Sequence, residues 1–378
     1  MTRVALLGPA NSIHLQRWAG ALVDRGHAVH ILSQHRCARE LLPARAQVSW
    51  LRHGGTLGYF RNAWAVRRIL TAWGTELLNA HYASGYGTTA SLCGFRPWVL
   101  SVWGSDVYDF PREGAAQGAL LRWNLRRATV VAATSHAMAR HVQSLTRVRR
   151  EVVVTPFGVD LERFVPAPQG AALPVASAAA RRSATPLTIG IVKTLAPKYG
   201  VDLLLRAMAG LLRDDELRMT PLNLKLLIVG DGPQRNALEA LAVQLGIGER
   251  TEFVGGVRHR DVPHWLQRMD IFAAPSRSDS ESFGVAVVEA SACALPVVVA
   301  NVGGLPEVVQ DGRTGLVVPP DDVGALQAAL KRLVLDAGLR ATLGRQGRAR
   351  VERDYGWTHC VDLMQACYAD TLRGAAPA

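Results

Sequence analysis

The sequence predicts an α/β protein made of two Rossmann-like, doubly wound domains with parallel sheets. Three observations predict it. The chain has 378 residues, the length of two domains at roughly 100–200 residues each. Short apolar runs alternate with stretches whose apolar residues recur at helical spacing, once through the front half and again through the rear. Between the halves lies PAPQGAALPVASAAARRSATP (166–186), rich in Ala, Pro and Ser and without an apolar period, which reads as a linker. The expected domains are therefore 1–165 and 187–354, with a C-terminal helix at 355–373 packing back on the first.

In the front half, Val4–Gly8 reads as a buried first strand. A helix follows from Ser12 to Arg25, then strands at Val29–Ser33, Glu76–Ala80, Trp98–Val102, Thr129–Ala133 and Val152–Thr155. After the linker the pattern restarts with strand Leu187–Val192, helix Val201–Leu212, strand Lys225–Gly230, helix Gln234–Leu245 and strand Thr251–Val254. Strand Ile271–Ala274, helix Gly284–Ala294, strand Pro296–Ala300 and helix Val323–Leu335 complete it. In parallel sheets ligands sit outside the carboxyl ends of strands, so the loops that follow strands are the places to look for function.

Composition narrows the function classes. Hydrophobic residues make up 49% and charged residues 20%, which excludes a disordered or collagen-like chain. The net charge of +12 directs attention to anionic partners: nucleic acid, a membrane surface or a phosphorylated substrate. Only four of the 43 basic residues are lysines, namely Lys193, Lys198, Lys225 and Lys331. The excess sits in the front half: residues 1–165 carry 20 basic and 9 acidic groups, whereas 166–378 carry 23 and 22. No RNP, helix-turn-helix or zinc-finger pattern appears, which demotes nucleic acid. Five cysteines without CxxC spacing suit free thiols in a reducing cytoplasm rather than zinc or disulfides. No apolar run reaches the ~18 residues of a membrane span, and the start of the chain lacks the features of a signal peptide.

The sharpest signal is DIFAAPSRSDSESFGVAVVEASACALPVVVA (270–300). A strand ends at Pro275, a polar loop follows, and a helix begins near Phe283 and Gly284. Free N–H groups and the helix dipole there make an anion site suited to a diphosphate. Glu281 precedes the helix, and Glu289 follows eight residues later, about 12 Å further along if the stretch is helical. They are too far apart to share a proton. Ionised carboxylates only accept hydrogen bonds and suit paired hydroxyls, such as those of a ribose or a hexose. Glu289 stands in an apolar run, where an unpaired carboxylate is costly. Upstream, Lys193 and Lys198 share one loop after a strand, placed to neutralise a diphosphate without a metal. No Asp-x-Asp motif is present. Gly230-Asp-Gly-Pro233 reads as a structural turn, while Gly303-Gly304 and Glu307 admit both structural and binding readings.

Together these motifs resemble the retaining, nucleotide-sugar-dependent glycosyltransferases of family 4, which have the GT-B fold. The matches run in order across nearly the whole chain: PFGVDLERFVP (156–166), GIVKTLAPKYGVDLLLRA (190–207), LLIVGDGP (226–233), EFVGGV (252–257), ESFGVAVVEASACALPVVVA (281–300), VGGLPEVVQDGRTGLVVPP (302–320) and YGW (355–357). The resemblance implies two domains facing across a cleft, the first binding acceptor and the second donor. It implies that Glu281 contacts the donor sugar, Glu289 the nucleotide ribose, and the backbone at Phe283 and Gly284 sugar and phosphate. Lys198 matches the phosphate-binding lysine, Lys193 stands where the family usually has arginine, and the backbone of Val257 reads the base. The family works without a metal ion or other cofactor.

The first domain departs further from the family. Gly8 is followed by Pro9-Ala10 where relatives often have a glycine pair. Trp103 replaces a histidine that contacts the donor sugar, and either stacks on a sugar or lines the cleft. Asp106 matches the motif's carboxylate; it either binds or deprotonates the acceptor hydroxyl, or caps the following helix. His81 also follows a strand. The implied activity is transfer of a sugar to an acceptor hydroxyl in bacterial polysaccharide or glycolipid biosynthesis, the acceptor being lipid-linked or a saccharide. The alternatives are a catalytically inactive nucleotide-binding scaffold and a sugar synthase or phosphorylase of the same architecture. The arginine excess of the first domain points to an anionic membrane leaflet, with the protein cytoplasmic and peripheral.

Overall fold

The structure, a computed structural model, describes residues 1–168, 186–220 and 222–374. The chain forms two compact units, one comprising Met1–Phe157 with Thr358–Ala378, the other Gly158–Trp357. Most of the linker expected at 166–186 lies outside the described residues.

The first unit holds seven parallel strands: β1 (Arg3–Leu7), β2 (Ala28–Ser33), β3 (Gln47–Trp50), β4 (Leu77–His81), β5 (Trp98–Ser101), β6 (Val130–Ala133) and β7 (Val153–Val154). Their order is β3-β2-β1-β4-β5-β6-β7. The chain steps outward from β1 to β3, then returns to the other side of β1 at β4. The register pairs Val4 with Val29 on one side and with Leu77 on the other. Strands such as β1 and β6 are buried on both faces, so they read as apolar runs rather than alternating ones, whereas the equally buried β4 carries Asn79 and His81. Ser12 caps the first helix, Ile13–Asp24, by accepting from the His14 amide.

The second unit repeats the plan with six parallel strands: β8 (Leu187–Val192), β9 (Leu224–Val229), β10 (Thr251–Gly255), β11 (Ile271–Ala274), β12 (Val297–Ala300) and β13 (Leu316–Val318). The order β10-β9-β8-β11-β12-β13 puts its reversal point between β8 and β11. Helix Val201–Arg213 lays Val201, Leu204, Leu205, Met208 and Leu211 into the core beneath this sheet.

The division falls at Phe157–Gly158, ahead of the boundary expected after 165. Backbone bonding explains it. Val159 bridges to Gly356, Arg348 donates to the Phe164 carbonyl at 3.1 Å, and Gln267 donates to the Val165 carbonyl at 3.1 Å. The segment is thereby stitched into the second unit, which runs on to Trp357. The final helix, Trp357–Arg373, packs in the first unit from Thr358 onward. Its Tyr368 hydroxyl donates to the Asn79 side chain on β4 at 2.6 Å, and Arg25 pairs with Asp362 at 2.5 Å.

Candidate functional site

The reversal point of the second sheet brings together two loops that are far apart in sequence, the one after β8 and the one after β11. Lys193 and Glu281 meet there: the ammonium lies 2.6 Å from one carboxylate oxygen and 2.8 Å from the other. Both are largely shielded, with side chains 21% and 8% exposed, so the pair carries more weight than a surface salt bridge. Lys198 joins them. Its ammonium lies 5.3 Å from the centre of the Tyr199 ring and that of Lys193 4.5 Å, so both cations lie against one aromatic ring. Lys198 also reaches the Ser280 hydroxyl at 3.4 Å.

The backbone around these residues is fixed by glycines that a side chain would spoil. Gly230 has φ +140°, and a Cβ there would run into the Lys193 carbonyl. Gly303 and Gly304 lie against the Glu281 and Ser282 carbonyls with no room for a Cβ. The Gly304 amide donates to the Glu281 carbonyl at 3.0 Å, and the Gly303 amide to Asp279 at 3.0 Å. Gly230 thus shapes the loop that carries Lys193, and Gly303 and Gly304 shape the loop that carries Glu281. Helix Val285–Ala292 starts one residue later than the sequence suggested, because Gly284 at its N-cap takes φ +85°. Phe283 is buried and packs edge-on to Tyr355, ring centres 5.4 Å apart.

Glu289 lies in that helix, only 4% exposed. Its partner is His259, whose Nε2 lies 2.6 Å from the carboxylate. An ionised carboxylate can only accept, so the proton sits on Nε2. The other ring nitrogen, Nδ1, is buried without a hydrogen-bond partner. Val257, half-buried just past β10, precedes His259 by two positions.

In the first unit the ends of β1, β4 and β5 carry an aromatic cluster. His14 stacks on Phe157 with ring centres 4.2 Å apart, and Trp103 lies 5.6 Å from His14 and 5.6 Å from His81. His81 is fully buried, and neither ring nitrogen has a hydrogen-bond partner. Burial pushes its pKa down to about 3, so the ring is neutral. Gly8 serves this packing, since a Cβ there would meet Leu15 at 2.9 Å and His81 at 3.1 Å. Asp106 points inward and is fully buried. One of its oxygens accepts from the Ala83 amide at 2.6 Å, the other from the Trp103 and Gly104 amides at 3.0 and 2.8 Å. Burial raises its pKa, and those three amide donors oppose the rise.

Residues 176–350 match the family of group 1 glycosyl transferases, and residues 3–135 match the glycosyl transferase 4-like family. The chain belongs to the group 1, family 4 glycosyltransferases. Among its relatives, a D-inositol 3-phosphate glycosyltransferase of Saccharomonospora viridis is 36% identical over 228 residues, covering 58% of this chain and 51% of that protein. A GDP-mannose-dependent alpha-(1-6)-phosphatidylinositol monomannoside mannosyltransferase of Mycolicibacterium smegmatis is 35% identical over 211 residues, covering 53% of this chain and 52% of that one. The chain thus spans about half the length of these curated relatives. Its GT-B fold is shared with sucrose-phosphate synthase of Thermosynechococcus elongatus, at a TM-score of 0.81 and 21% identity, over 99% of this chain and 100% of that one.

Three residues of the second unit escape sequence reasoning. His259 gives no signal, being one of 11 histidines in a polar stretch. Arg277 and Asp202 form a pair joined by two hydrogen bonds of 2.6 and 2.8 Å. The Arg277 amide donates to the Lys198 carbonyl at 2.8 Å and its guanidinium to the Pro197 carbonyl at 3.1 Å, so this arginine holds the Lys198 loop in place. Its guanidinium keeps the Asp202 carboxyl below the usual range. Among the described residues no cluster of three His, Cys, Asp or Glu side chains is arranged to hold a metal. A concavity lined by Thr188, Lys225, Glu252 and Asp270 lies at the opposite, amino ends of the strands, away from these groups.

Proposed function

We propose that the protein transfers a sugar from a nucleoside diphosphate sugar to an acceptor hydroxyl with retention of anomeric configuration. The observation that supports this most is the meeting of Lys193, Lys198 and Glu281 at the reversal point of the second sheet. As the bond between the anomeric carbon and the diphosphate oxygen breaks, negative charge grows on the leaving group and the sugar takes on oxocarbenium character. Lys193 and Lys198 stabilise that charge, helped by the backbone at Phe283 and Gly284. The lysines supply the positive charge for which many transferases use a metal. Glu281 holds sugar hydroxyls and shares Lys193 with the phosphate. Glu289 holds the ribose diol, steadied by His259, and the backbone at Val257 meets the base.

Asp106 supports this chemistry by position. Both its oxygens are taken up by amides of Ala83, Trp103 and Gly104, so it shapes the loop that presents Trp103. The acceptor is a lipid-linked sugar or a saccharide of bacterial glycolipid or polysaccharide biosynthesis, made on the cytoplasmic side. The name of the mycobacterial relative makes GDP-mannose the first donor to try.

A thermal-shift screen of UDP-, GDP-, ADP- and dTDP-sugars, followed by NMR of the product, tests the reading. Binding of one donor and a product with the donor's anomeric configuration is expected. Failure of every donor to bind, or an inverted anomer, overturns it. Donor binding without transfer or hydrolysis returns the protein to the scaffold class.

A further inference from the structure

We propose that the helical segment Gly55–Trp73 of the first unit docks the protein on an anionic lipid bilayer by inserting Leu57, Phe60 and Trp64 between arginines. Helices Gly55–Arg61 and Ala63–Trp73 run almost without a break, because Asn62 between them keeps a right-handed helical backbone, φ −78° and ψ −13°. The inward face is settled: Gly58, Asn62, Val66 and Leu70 are buried, and Val66 and Leu70 belong to the core of this unit. Asn62 also clasps the preceding loop, donating to the His53 carbonyl at 2.7 Å and accepting from its amide at 3.2 Å.

The outward face is apolar where a water-facing helix should be polar. Leu57, Phe60 and Trp64 are 61%, 44% and 68% exposed. Of nine tryptophans and eight phenylalanines, Trp64 and Phe60 are the exposed ones. At about 100° per residue these three, with Arg61, Arg67 and Arg68, fall within one arc of about 120°. Arg68 stacks over the Trp64 ring at 4.7 Å. Arg67 donates to the Cys93 carbonyl at 2.9 Å, which brings Leu92, 45% exposed, to the margin of the patch.

Charge selects the occupant. Residues 41–75 contain five arginines and no aspartate or glutamate. A second copy of the chain would set arginine against arginine across a two-fold axis. An anionic bilayer suits both features: lipid phosphates meet the guanidinium groups, and the apolar side chains enter the boundary below the headgroups. This surface does not depend on what the second unit binds.

The test is co-sedimentation of the full chain with phosphatidylcholine vesicles, with and without phosphatidylglycerol, at low and high salt. Binding is expected only to the anionic vesicles, and it weakens as salt rises. Leu57→Ser/Phe60→Ser/Trp64→Ser is expected to weaken it at least about tenfold, and Arg61→Glu/Arg68→Glu by a similar factor. Both variants should retain the native Tm and nucleotide binding, since every changed side chain faces water. Brominated lipid should quench native fluorescence more than that of Trp64→Phe. Equal binding to neutral and anionic vesicles, no binding to either, or a triple variant that binds like the native chain overturns the proposal. A dimer in sedimentation velocity that Trp64→Ser abolishes also overturns it, because a second copy would then cover the stripe.

Discussion

His259 grips Glu289: the imidazole Nε2 lies 2.6 Å from the carboxylate of a residue that is itself almost wholly buried. A buried carboxylate inside an apolar helix needs a donor, and the bond from His259 meets that need. His259→Phe keeps the ring shape and removes the donor. It is expected to raise the Kd for nucleoside diphosphate about tenfold, the worth of one hydrogen bond to a charged group. Isothermal titration calorimetry reads this directly. Because the two residues act as a unit, His259→Phe/Glu289→Gln should bind no more weakly than the worse single variant. Additive losses would mean the residues work separately.

Lys193 and Glu281 should show a different pattern. Lys193→Met strands a shielded carboxylate, which costs about 3–5 kcal/mol where burial is complete and less here. Turnover should fall by roughly two to three orders of magnitude, as on removing a group that stabilises transition-state charge. Lys193→Met/Glu281→Gln should recover much of the Tm but none of the turnover. Recovery of both would assign the pair to structure alone.

Arg277 and Asp202 lie behind the site and should act through Lys198. Arg277→Ala releases the Pro197 and Lys198 carbonyls and is expected to weaken nucleotide binding several-fold. A double-mutant cycle with Asp202→Asn should return a coupling of about 1–3 kcal/mol in stability. A coupling near zero would show that the two hydrogen bonds contribute nothing beyond their separate contacts.

Acid should destabilise the protein partly through His81. Its folded pKa is lowered to about 3 against an ordinary 6.5. Between these values the unfolded chain holds a proton that the folded one lacks, so stability is complete above pH 6.5 and falls as pH drops toward 3. The slope from this one group is at most about 1.4 kcal/mol per pH unit. His30, lowered to about 4 by burial, acts in the same sense. His81→Leu should therefore lose less stability between pH 7 and pH 5 than the native chain does, measured by urea unfolding at each pH. An unchanged acid dependence would remove His81 from the account.

The parallel layers were legible because buried strands such as Val297–Ala300 are continuous apolar runs, and helices such as Val201–Arg213 are strongly two-sided. Elements without such a pattern were not. Strand β3 is a four-residue edge with half-buried side chains, β13 has three residues, and helix Ala337–Asp354 is mostly polar. In the site, Glu281 and the two lysines could be read from the loops that bear them, since a parallel sheet dictates which loops meet. The partners could not. His259 reaches Glu289 across 30 positions and Arg277 reaches Asp202 across 75, and neither separation leaves a periodic trace. Asp106 shows the converse: its motif was visible, but only the structure shows its oxygens turned toward three amides.

The Tyr368–Asn79 bond has a consequence for the order of events during synthesis. The first sheet emerges from the ribosome first, yet it cannot be finished until the last helix has been translated. Until then Asn79, at the centre of β4, lacks the hydroxyl it bonds in the finished molecule. The second unit is one unbroken stretch, Gly158–Trp357, and can close on itself as soon as it is made. The part encoded first is therefore completed last, and a ribosome that stops shortly after Trp357 would release a whole second unit attached to an open first one.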